Sequence, residues 1–411
     1  MRSKNIIIQP GNDLERKLLL LCVHSLSTQE ESESMQELLH QNIDWSLFYQ
    51  LIVKNRVEAL VYKYLQNKFC TEPIVFKKLE EDYKKNQFRA ILLTMELLQI
   101  MERFKENQIA ALSVKGPLLS ALIYGDISLR TSRDLDILIS QTDMIQANQL
   151  LLNMGFELDD SIKNLTPRQQ EHIKKNFHHF VYHNQNGLEL ELHWRLSSDY
   201  YDIPFGKLWN EKQKYILFGR YVNTLNREEN LAYLIVHGSK HAWKRVRWLC
   251  DVYEILSLES FDEQSFIHRC ESLGILHMVR QTLILCKELF GGDYDIPIKL
   301  SMKEEGISQR LAVIALNFIY SQEEEPELYG ASLFKEYKQY MLLWYRGYGR
   351  KLRYFRRHFI PTVEDFQSIK LRDQFFILYS ILRVIKIINR CAELGLKKLK
   401  LVKGSRGGHH E

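Results

Sequence analysis

The chain has 411 residues, 45% of them hydrophobic and 26% charged, a balance typical of a globular protein with more than one packed unit. Its six cysteines are scattered without any CxxC pair, which argues against a zinc ribbon and against a disulfide framework. The net charge of +5 conceals an asymmetry, because residues 331–411 hold 18 Lys/Arg against 6 Asp/Glu.

The N-terminal region, residues 1–107, is predicted to be helical. Asp44 has a side chain suited to a helix N-cap, and the apolar spacing from Trp45 to Gln66 indicates a bent or broken pair of helices. A further helix is predicted from about residue 76 to 107. No signal-peptide pattern precedes these helices and no apolar run is long enough to span a bilayer, so we predict a cytoplasmic protein.

Residues 108–225 are predicted to form the α/β core. Short apolar runs at residues 110–114 and 133–139 are typical of strands, and each is followed by a segment with helical spacing, at 118–124 and 142–154. Two further strands flank a turn at residues 184–187 and predict a hairpin. We therefore expect an α+β fold, predominantly helical, with a small mixed sheet between helical regions.

The strongest chemical signal in the core is Asp134-Leu135-Asp136. Side chains alternate along a strand with period two, so both aspartates lie on one face while Leu135 and Ile137 face the core. Adjacent carboxylates repel each other, and a divalent cation that prefers oxygen ligands removes the conflict. An acidic strand end exposed to solvent is the alternative explanation of the pair alone.

A second alternating segment, Leu188 to Trp194, strengthens the interpretation as a metal site. Glu189, Glu191 and His193 share one face of this predicted strand. If it neighbours the first strand, the carboxylates converge where two Mg²⁺ ions could bind. We predict a role for Glu191 and include His193 among the cofactor-binding residues, whereas Glu189 is equally well explained as a solvent-exposed side chain.

Basic residues and a glycine precede the acidic pair. Lys115-Gly116 ends one predicted strand and begins a helix, where free backbone N–H groups suit phosphate oxygens. Arg130 and Arg133 flank the acidic pair and are candidates for binding a triphosphate, although Arg133 could also neutralise its neighbours.

Residues 226–411 are predicted to form a helical C-terminal domain with a basic tail. His237 and His241 lie four residues apart on one helix face, and without a third ligand nearby we favour packing or substrate contact over metal binding. The stretch from Arg346 to Arg357 is basic and interleaved with aromatic residues. Phe375 to Ile388 is strongly apolar and is predicted to be a buried helix rather than an interfacial one.

Several of these segments together resemble a bacterial family of uncharacterised nucleotidyltransferases within the polymerase-beta-type superfamily. The resemblance covers most of the chain, and no single motif carries it. The matching segments are Asp44-Trp45, Asn55-Arg56-Val57, Val114-Lys115-Gly116, Tyr124-Gly125-Asp126, Arg130, Asp134 to Ile137, Glu191 to Trp194, His237 to Trp243 and Arg247 to Asp251.

The resemblance implies a specific chemistry. Asp134 and Asp136 would ligate both Mg²⁺ ions, and Glu191 would be the third carboxylate and help to activate an acceptor hydroxyl. The reaction would be in-line attack on the α-phosphate of a nucleoside triphosphate, with pyrophosphate as leaving group and an unidentified small molecule, peptide or protein as acceptor. The superfamily's usual phosphate loop is Gly-Ser or Gly-Gly, and Lys115-Gly116 replaces it here.

Two other functions remain open from the sequence. The altered phosphate loop favours a catalytically inactive binding module with the same fold. The basic C-terminal end favours an enzyme that modifies nucleic-acid ends, although we do not favour nucleic acid as a partner, and peripheral contact with a membrane is a further interpretation of the same charges.

Overall fold

The structure is a computed structural model that describes residues 13–28, 37–66, 72–197, 200–258, 261–291, 294, 296–321 and 331–389. The chain divides into two compact units, one formed by residues 1–157 with 181–344 and the other by 158–180 with 345–411. The fold is α+β and predominantly helical, which confirms the predicted class. The predicted regions 1–107, 108–225 and 226–411 stay a prediction. None of the helices in the described ranges is both long and apolar enough to cross a bilayer.

A mixed sheet of seven strands lies at the centre of the first unit. The strands are β1 Ala111–Ser113, β2 Asp134–Ile139, β3 Phe156–Leu158, β4 His179–Asn184, β5 Glu189–His193, β6 Gln213–Leu217 and β7 Arg220–Thr224. Their order across the sheet is β3-β4-β5-β2-β1-β7-β6. Strand β2 is central, antiparallel to β1 and parallel to β5, while β7 is parallel to β1 and antiparallel to β6.

The predicted strands and the hairpin are present, but the sheet is larger than expected. The hairpin closes as the Asn184 N–H donates to the Leu188 carbonyl at 3.1 Å, and Gly187 adopts the positive φ of 72° that this turn requires. The sequence interpretation missed β3, β6 and β7. Strand β6 lies at the edge of the sheet and buries only Leu217 fully, so its hydrophobic alternation is too weak to identify it.

Helices of the first unit surround the sheet. They are α1 Asp13–Thr28, α2 Trp45–Asn55, α3 Glu58–Leu65, α4 Pro73–Glu106, α5 Gly116–Tyr124, α6 Met144–Asn153, α9 Phe205–Asn210, α10 Arg227–Lys240, α11 Val246–Leu256, α12 Glu263–Leu273, α13 Leu276–Phe290, α14 Met302–Tyr320 and α15 Ala331–Trp344. Asp44 caps α2 as predicted, accepting a hydrogen bond from the Leu47 N–H at 2.9 Å. The predicted break between α2 and α3 falls at Arg56, which adopts a left-handed conformation with φ of 55°.

The second unit contains short helices held by aromatic packing. They are α7 Asp160–Lys163, α8 Pro167–Asn176, α16 Tyr348–His358, α17 Val363–Ser368 and a helix over residues 378–389. Rings of His172, Phe366, Phe376 and Tyr379 contact one another, and the Gln169 side chain donates to the Tyr379 hydroxyl at 3.1 Å.

The prediction that Phe375 to Ile388 forms a buried helix is wrong. Ile377 is 70% exposed and Ile388 is 60% exposed. One side of the helix is held in place, because Tyr379 packs against the Phe366 ring while Lys386 and Arg383 lie 2.8 and 3.4 Å from the buried Asp365. Apolar composition alone does not decide which face of a helix is buried.

Candidate active site

The two acidic strands predicted from the sequence lie next to each other. In the parallel pairing of β2 with β5, Asp134 lies opposite Glu189 and Asp136 opposite Glu191. His193 follows Glu191 on the same face, since side chains alternate along a strand. The opposite face is apolar and buried, which fixes the register because a slip of one residue would turn every carboxylate into the core.

The side chains on this face form two overlapping groups of potential ligands. Oxygen atoms of Asp134, Glu189 and Glu191 lie within 4.8 Å of one another, and so do ligand atoms of Asp136, Glu191 and His193. Glu191 belongs to both groups. A set rich in carboxylate oxygens fits hard divalent cations such as Mg²⁺ and Mn²⁺. We call Asp134, Asp136, Glu189 and Glu191 the acidic patch.

Asp136 is the most enclosed member of the acidic patch. Its side chain is 5% exposed, with Lys115 Nζ at 3.5 Å and His193 Nε2 at 3.2 Å from its Oδ1 atom. Burial alone would raise the pKa of Asp136, but the Lys115 ammonium and the hydrogen bond from His193 hold that pKa well below its usual range. Asp136 is therefore ionised and carries two cationic partners in the protein without ligand.

The partners of Asp136 are themselves held in the charged state. Burial would lower the pKa of His193, but hydrogen bonds to Asp136 and to Glu191, the latter at 3.0 Å, raise it to about 9. Burial would also lower the pKa of Lys115, and Asp136 raises it above its ordinary value. The Lys115 ammonium lies 5.0 Å from the ring centroid of Tyr233, a cation–π contact that fixes its direction.

Asp134 has the opposite electrostatic environment. Burial raises its pKa, and the neighbouring carboxylates of Asp136 and Glu191 raise it further, while Lys115 and Arg130 oppose the shift. The repulsion among these carboxylates is the feature that a bound cation would relieve. The acidic patch therefore combines Asp136, whose charge is well compensated, with Asp134, whose charge is compensated less.

The turn from β1 into α5 places Lys115 against the acidic patch. The Val114 N–H donates to the Asp136 carbonyl at 3.0 Å, and Gly116 then begins α5 with φ of 67°, a conformation that favours glycine. A Cβ at Gly116 would lie 3.6 Å from the Asp134 carbonyl oxygen, so the turn runs close beside β2. The phosphate-binding role of Lys115 and Gly116 stays a prediction.

The two arginines predicted to bind triphosphate differ in environment. Arg130 is 5% exposed, and its Nε donates to the fully buried Asp251 at 2.9 Å. The other Asp251 oxygen accepts a hydrogen bond from the Tyr124 hydroxyl at 3.0 Å. Arg133 is exposed beside Asp134. Arg130 thus has a structural partner, and its role toward a ligand stays a prediction.

Tyr233 was not identified from the sequence, although a signal existed. Tyr233, His237 and His241 follow one another at intervals of four residues, which places them along one side of α10 and its C-cap. Their rings contact in sequence, at 6.1 Å between Tyr233 and His237 and 5.0 Å between the two histidines, and both histidines contact Trp248. Ring packing is one of the two roles that the sequence favoured for these histidines, and Trp243 and Trp248 are buried beside them.

The sequence of the chain matches a known protein family. The family described as "Uncharacterised nucleotidyltransferase" matches residues 41–291, a segment that contains the whole acidic patch. A solved structure with detectable similarity is that of an antigenic nucleotidyltransferase-like protein from Paracoccidioides brasiliensis, at 16% identity over 52% of this chain and 94% of that one, with a TM-score of 0.33. No curated protein sequence matches the chain.

Proposed function

The chain belongs to this family of uncharacterised nucleotidyltransferases, and we propose that it transfers a nucleoside monophosphate from a nucleoside triphosphate to an acceptor hydroxyl in a Mg²⁺-dependent reaction. The acceptor would be a small molecule, a peptide or a protein side chain. The observation that carries the proposal is the convergence of carboxylates from β2 and β5 on one face of the sheet.

Asp134, Asp136 and Glu191 would hold two Mg²⁺ ions, because their oxygen atoms form the hard donor set that this cation prefers. When bound, the ions would neutralise charge on the triphosphate and on the carboxylates. The raised pKa of Asp134 supports this assignment, since burial and the neighbouring carboxylates of Asp136 and Glu191 both disfavour its charge, and a bound cation would oppose both.

The transfer step forms a bond between the acceptor oxygen and the α-phosphorus and breaks the bond from that phosphorus to the β-bridging oxygen, so that pyrophosphate leaves. The acceptor proton passes to the Glu191 carboxylate, whose side chain is 22% exposed and therefore open to a substrate. His193, 3.0 Å from Glu191, orients that carboxylate. Lys115 would exchange Asp136 for the α-phosphate as the ions bind.

The direct test is incubation of the protein with each α-³²P-labelled nucleoside triphosphate, Mg²⁺ or Mn²⁺, and fractionated cell extract as acceptor source. We expect release of pyrophosphate and label on an acceptor or on the protein itself. Asp136→Asn should abolish both signals. The matched control is Glu102→Gln, which removes a carboxylate of similar size from the surface of α4.

Absence of pyrophosphate release with all nucleotides and both metals would falsify the proposal. Label transfer that Asp136→Asn leaves unchanged would show that the reaction occurs elsewhere in the protein or in a contaminant.

A second candidate function, a binding module without transfer activity, is favoured by one observation. Asp136 is already neutralised within the chain by Lys115 and His193, so the site is partly compensated without a cation. Titration with Mn²⁺, followed by electron paramagnetic resonance, separates the two candidates. Micromolar binding that is lost in Asp134→Asn supports the enzyme, and the absence of binding supports the module.

A further inference from the structure

Several arginines meet beside the acidic patch, in three segments that hydrogen bonds join. Arg56 lies at the break between α2 and α3, Arg130 and Arg133 precede β2, and Arg245 and Arg247 lie at the start of α11. The Val246 N–H donates to the Asn55 side chain at 3.0 Å, which fixes the start of α11 against the residue before Arg56. The Arg247 guanidinium donates to the Thr131 carbonyl, which fixes it to the segment before β2. We call Arg56, Arg130, Arg133, Arg245 and Arg247 the arginine cluster.

The arginine cluster contains five guanidinium groups, and few carboxylates among the described residues pair with them. Asp251 is committed to Arg130 and Tyr124. In the part of the chain that the structure describes, Arg56, Arg133 and Arg247 form no ion pair. Glu58 is close enough for its charge to interact with those of Arg247 and Arg56, but among the described residues it forms an ion pair with neither.

Arg247 is the member of the arginine cluster whose environment argues most strongly for a bound anion. Its side chain is 6% exposed, and its Nε has no hydrogen-bond partner among the described residues. Burial and then the charge of Arg130 lower its pKa, while Asp251 opposes the shift. A guanidinium stays protonated at neutral pH, so the lowered pKa expresses the cost of burying this charge and of placing it near Arg130, and a bound anion would reduce that cost. A buried cation without a counter-ion is costly, which argues that it serves a ligand rather than the fold.

The surroundings select the kind of anion. Arg56 and Asp134 are close enough for their charges to interact, so the cluster borders the acidic patch. The N-terminus of α11 adds the partial positive charge of a helix start. Guanidinium groups match phosphate oxygens in paired hydrogen bonds. A polyphosphate beginning at a cation on the acidic patch would therefore extend onto the arginine cluster.

We propose that Arg56 and Arg247 bind the terminal β- and γ-phosphates of the nucleoside triphosphate. The proposal rests on the proposed function, since it assigns the outer part of the same substrate. It places the phosphate contacts on two segments that are distant in sequence, in addition to the turn at Lys115-Gly116.

The test is isothermal titration of the full chain with inorganic tripolyphosphate at low salt and without metal. We expect binding to the unmodified protein and a loss of roughly ten- to a hundredfold in affinity for Arg56→Asn and for Arg247→Lys, because each removes or weakens charge-assisted hydrogen bonds. Asn tolerates the left-handed conformation of Arg56, so that variant should fold. Arg103→Gln, which removes an exposed arginine of α4, is the control for net charge.

Unchanged affinity in folded Arg56→Asn and Arg247→Lys, or no binding of tripolyphosphate to the unmodified protein, overturns the assignment. Transfer activity is a separate measurement. If both variants transfer nucleotide with the KM of the unmodified protein, the proposed function stands and the arginine assignment is contradicted. If tripolyphosphate binding depends on both arginines but no transfer is observed, the arginine assignment stands and the proposed function is contradicted.

Discussion

The acidic patch and the arginine cluster are neighbours in the first unit, but their charges are balanced in different ways. Asp136 has two cationic partners, Lys115 and His193, before any ligand binds. Arg247 is buried to a similar extent, and its guanidinium donates a hydrogen bond to the Thr131 carbonyl. A cation entering the acidic patch meets a carboxylate that already has cationic partners, whereas an anion beside Arg247 meets a guanidinium that forms no ion pair among the described residues. We therefore expect the arginine cluster to accept an anion with less rearrangement than the acidic patch needs to accept a cation.

Substitutions in the acidic patch should have the largest effects on nucleotidyl transfer. Asp134→Asn and Asp136→Asn should each lower transfer by roughly a thousandfold, because each removes a charge on which the transition state depends. Their effects on stability should differ. Asp136→Asn removes the buried carboxylate that pairs with Lys115 and His193 and should cost about 3 kcal/mol of unfolding free energy. Asp134→Asn removes repulsion and should cost nothing.

Pyrophosphate release and urea denaturation of both variants give the two readouts. Equal destabilisation by the two substitutions would contradict the picture of one well-compensated and one less compensated aspartate.

Substitutions in the arginine cluster should change the stability of the protein to different extents. Arg130→Met breaks a buried ion pair and should lower the unfolding free energy by about 3–5 kcal/mol. Arg247→Met removes a buried guanidinium that has no ion pair, so it should change that free energy by less than about 1 kcal/mol. Thermal unfolding should also show that tripolyphosphate raises the Tm of the unmodified protein and not of Arg247→Met. An equally large loss in both variants would mean that Arg247 serves the fold.

The acidic patch could be predicted from the sequence because it depends on one local rule. Alternation along two strands fixes which side chains share a face, and two buried apolar faces fix how the strands align. Asp134, Asp136 and Glu191 can therefore be identified from the sequence alone, although their roles remain proposals.

The arginine cluster could not be predicted in the same way. It depends on a left-handed residue at Arg56 and on the hydrogen bond between Asn55 and Val246, residues separated by most of the matched segment. No local period connects such segments. The exposed apolar side of the helix over residues 378–389 was missed for a related reason, since the orientation of that helix depends on contacts of Tyr379 with Phe366 and of Lys386 with Asp365, which lie outside it.

A smaller effect concerns pH and the histidines near the two regions. Burial, followed by neighbouring cations, lowers the pKa of His241 to about 3 and that of His237 well below its usual range. Each is neutral in the folded protein, whereas an unfolded histidine binds a proton below pH ~6.5. The stability they contribute is therefore complete above that pH and is lost as pH falls toward the folded pKa.

Between pH 7 and pH 5 we expect the His241 contribution to lower the unfolding free energy by roughly 1–2 kcal/mol. The measurement is urea denaturation at both pH values for the unmodified protein and for His241→Gln. The decrease in unfolding free energy from pH 7 to pH 5 should be smaller in His241→Gln than in the unmodified protein. An identical decrease in both proteins would contradict the lowered pKa of His241.

The smallest effect tests whether the turn at Lys115-Gly116 shares the phosphates with the arginine cluster. Gly116 and Gly125 begin and cap the same helix with φ of 67° and 69°, and a methyl group fits at either position. Alanine at either position should therefore cost about 1 kcal/mol through the backbone alone. If the turn contacts phosphate, only Gly116→Ala should also raise the KM for nucleotide, by less than Arg56→Asn does. Equal KM values for the two alanine variants would assign Gly116 to folding and leave the phosphates to the arginine cluster.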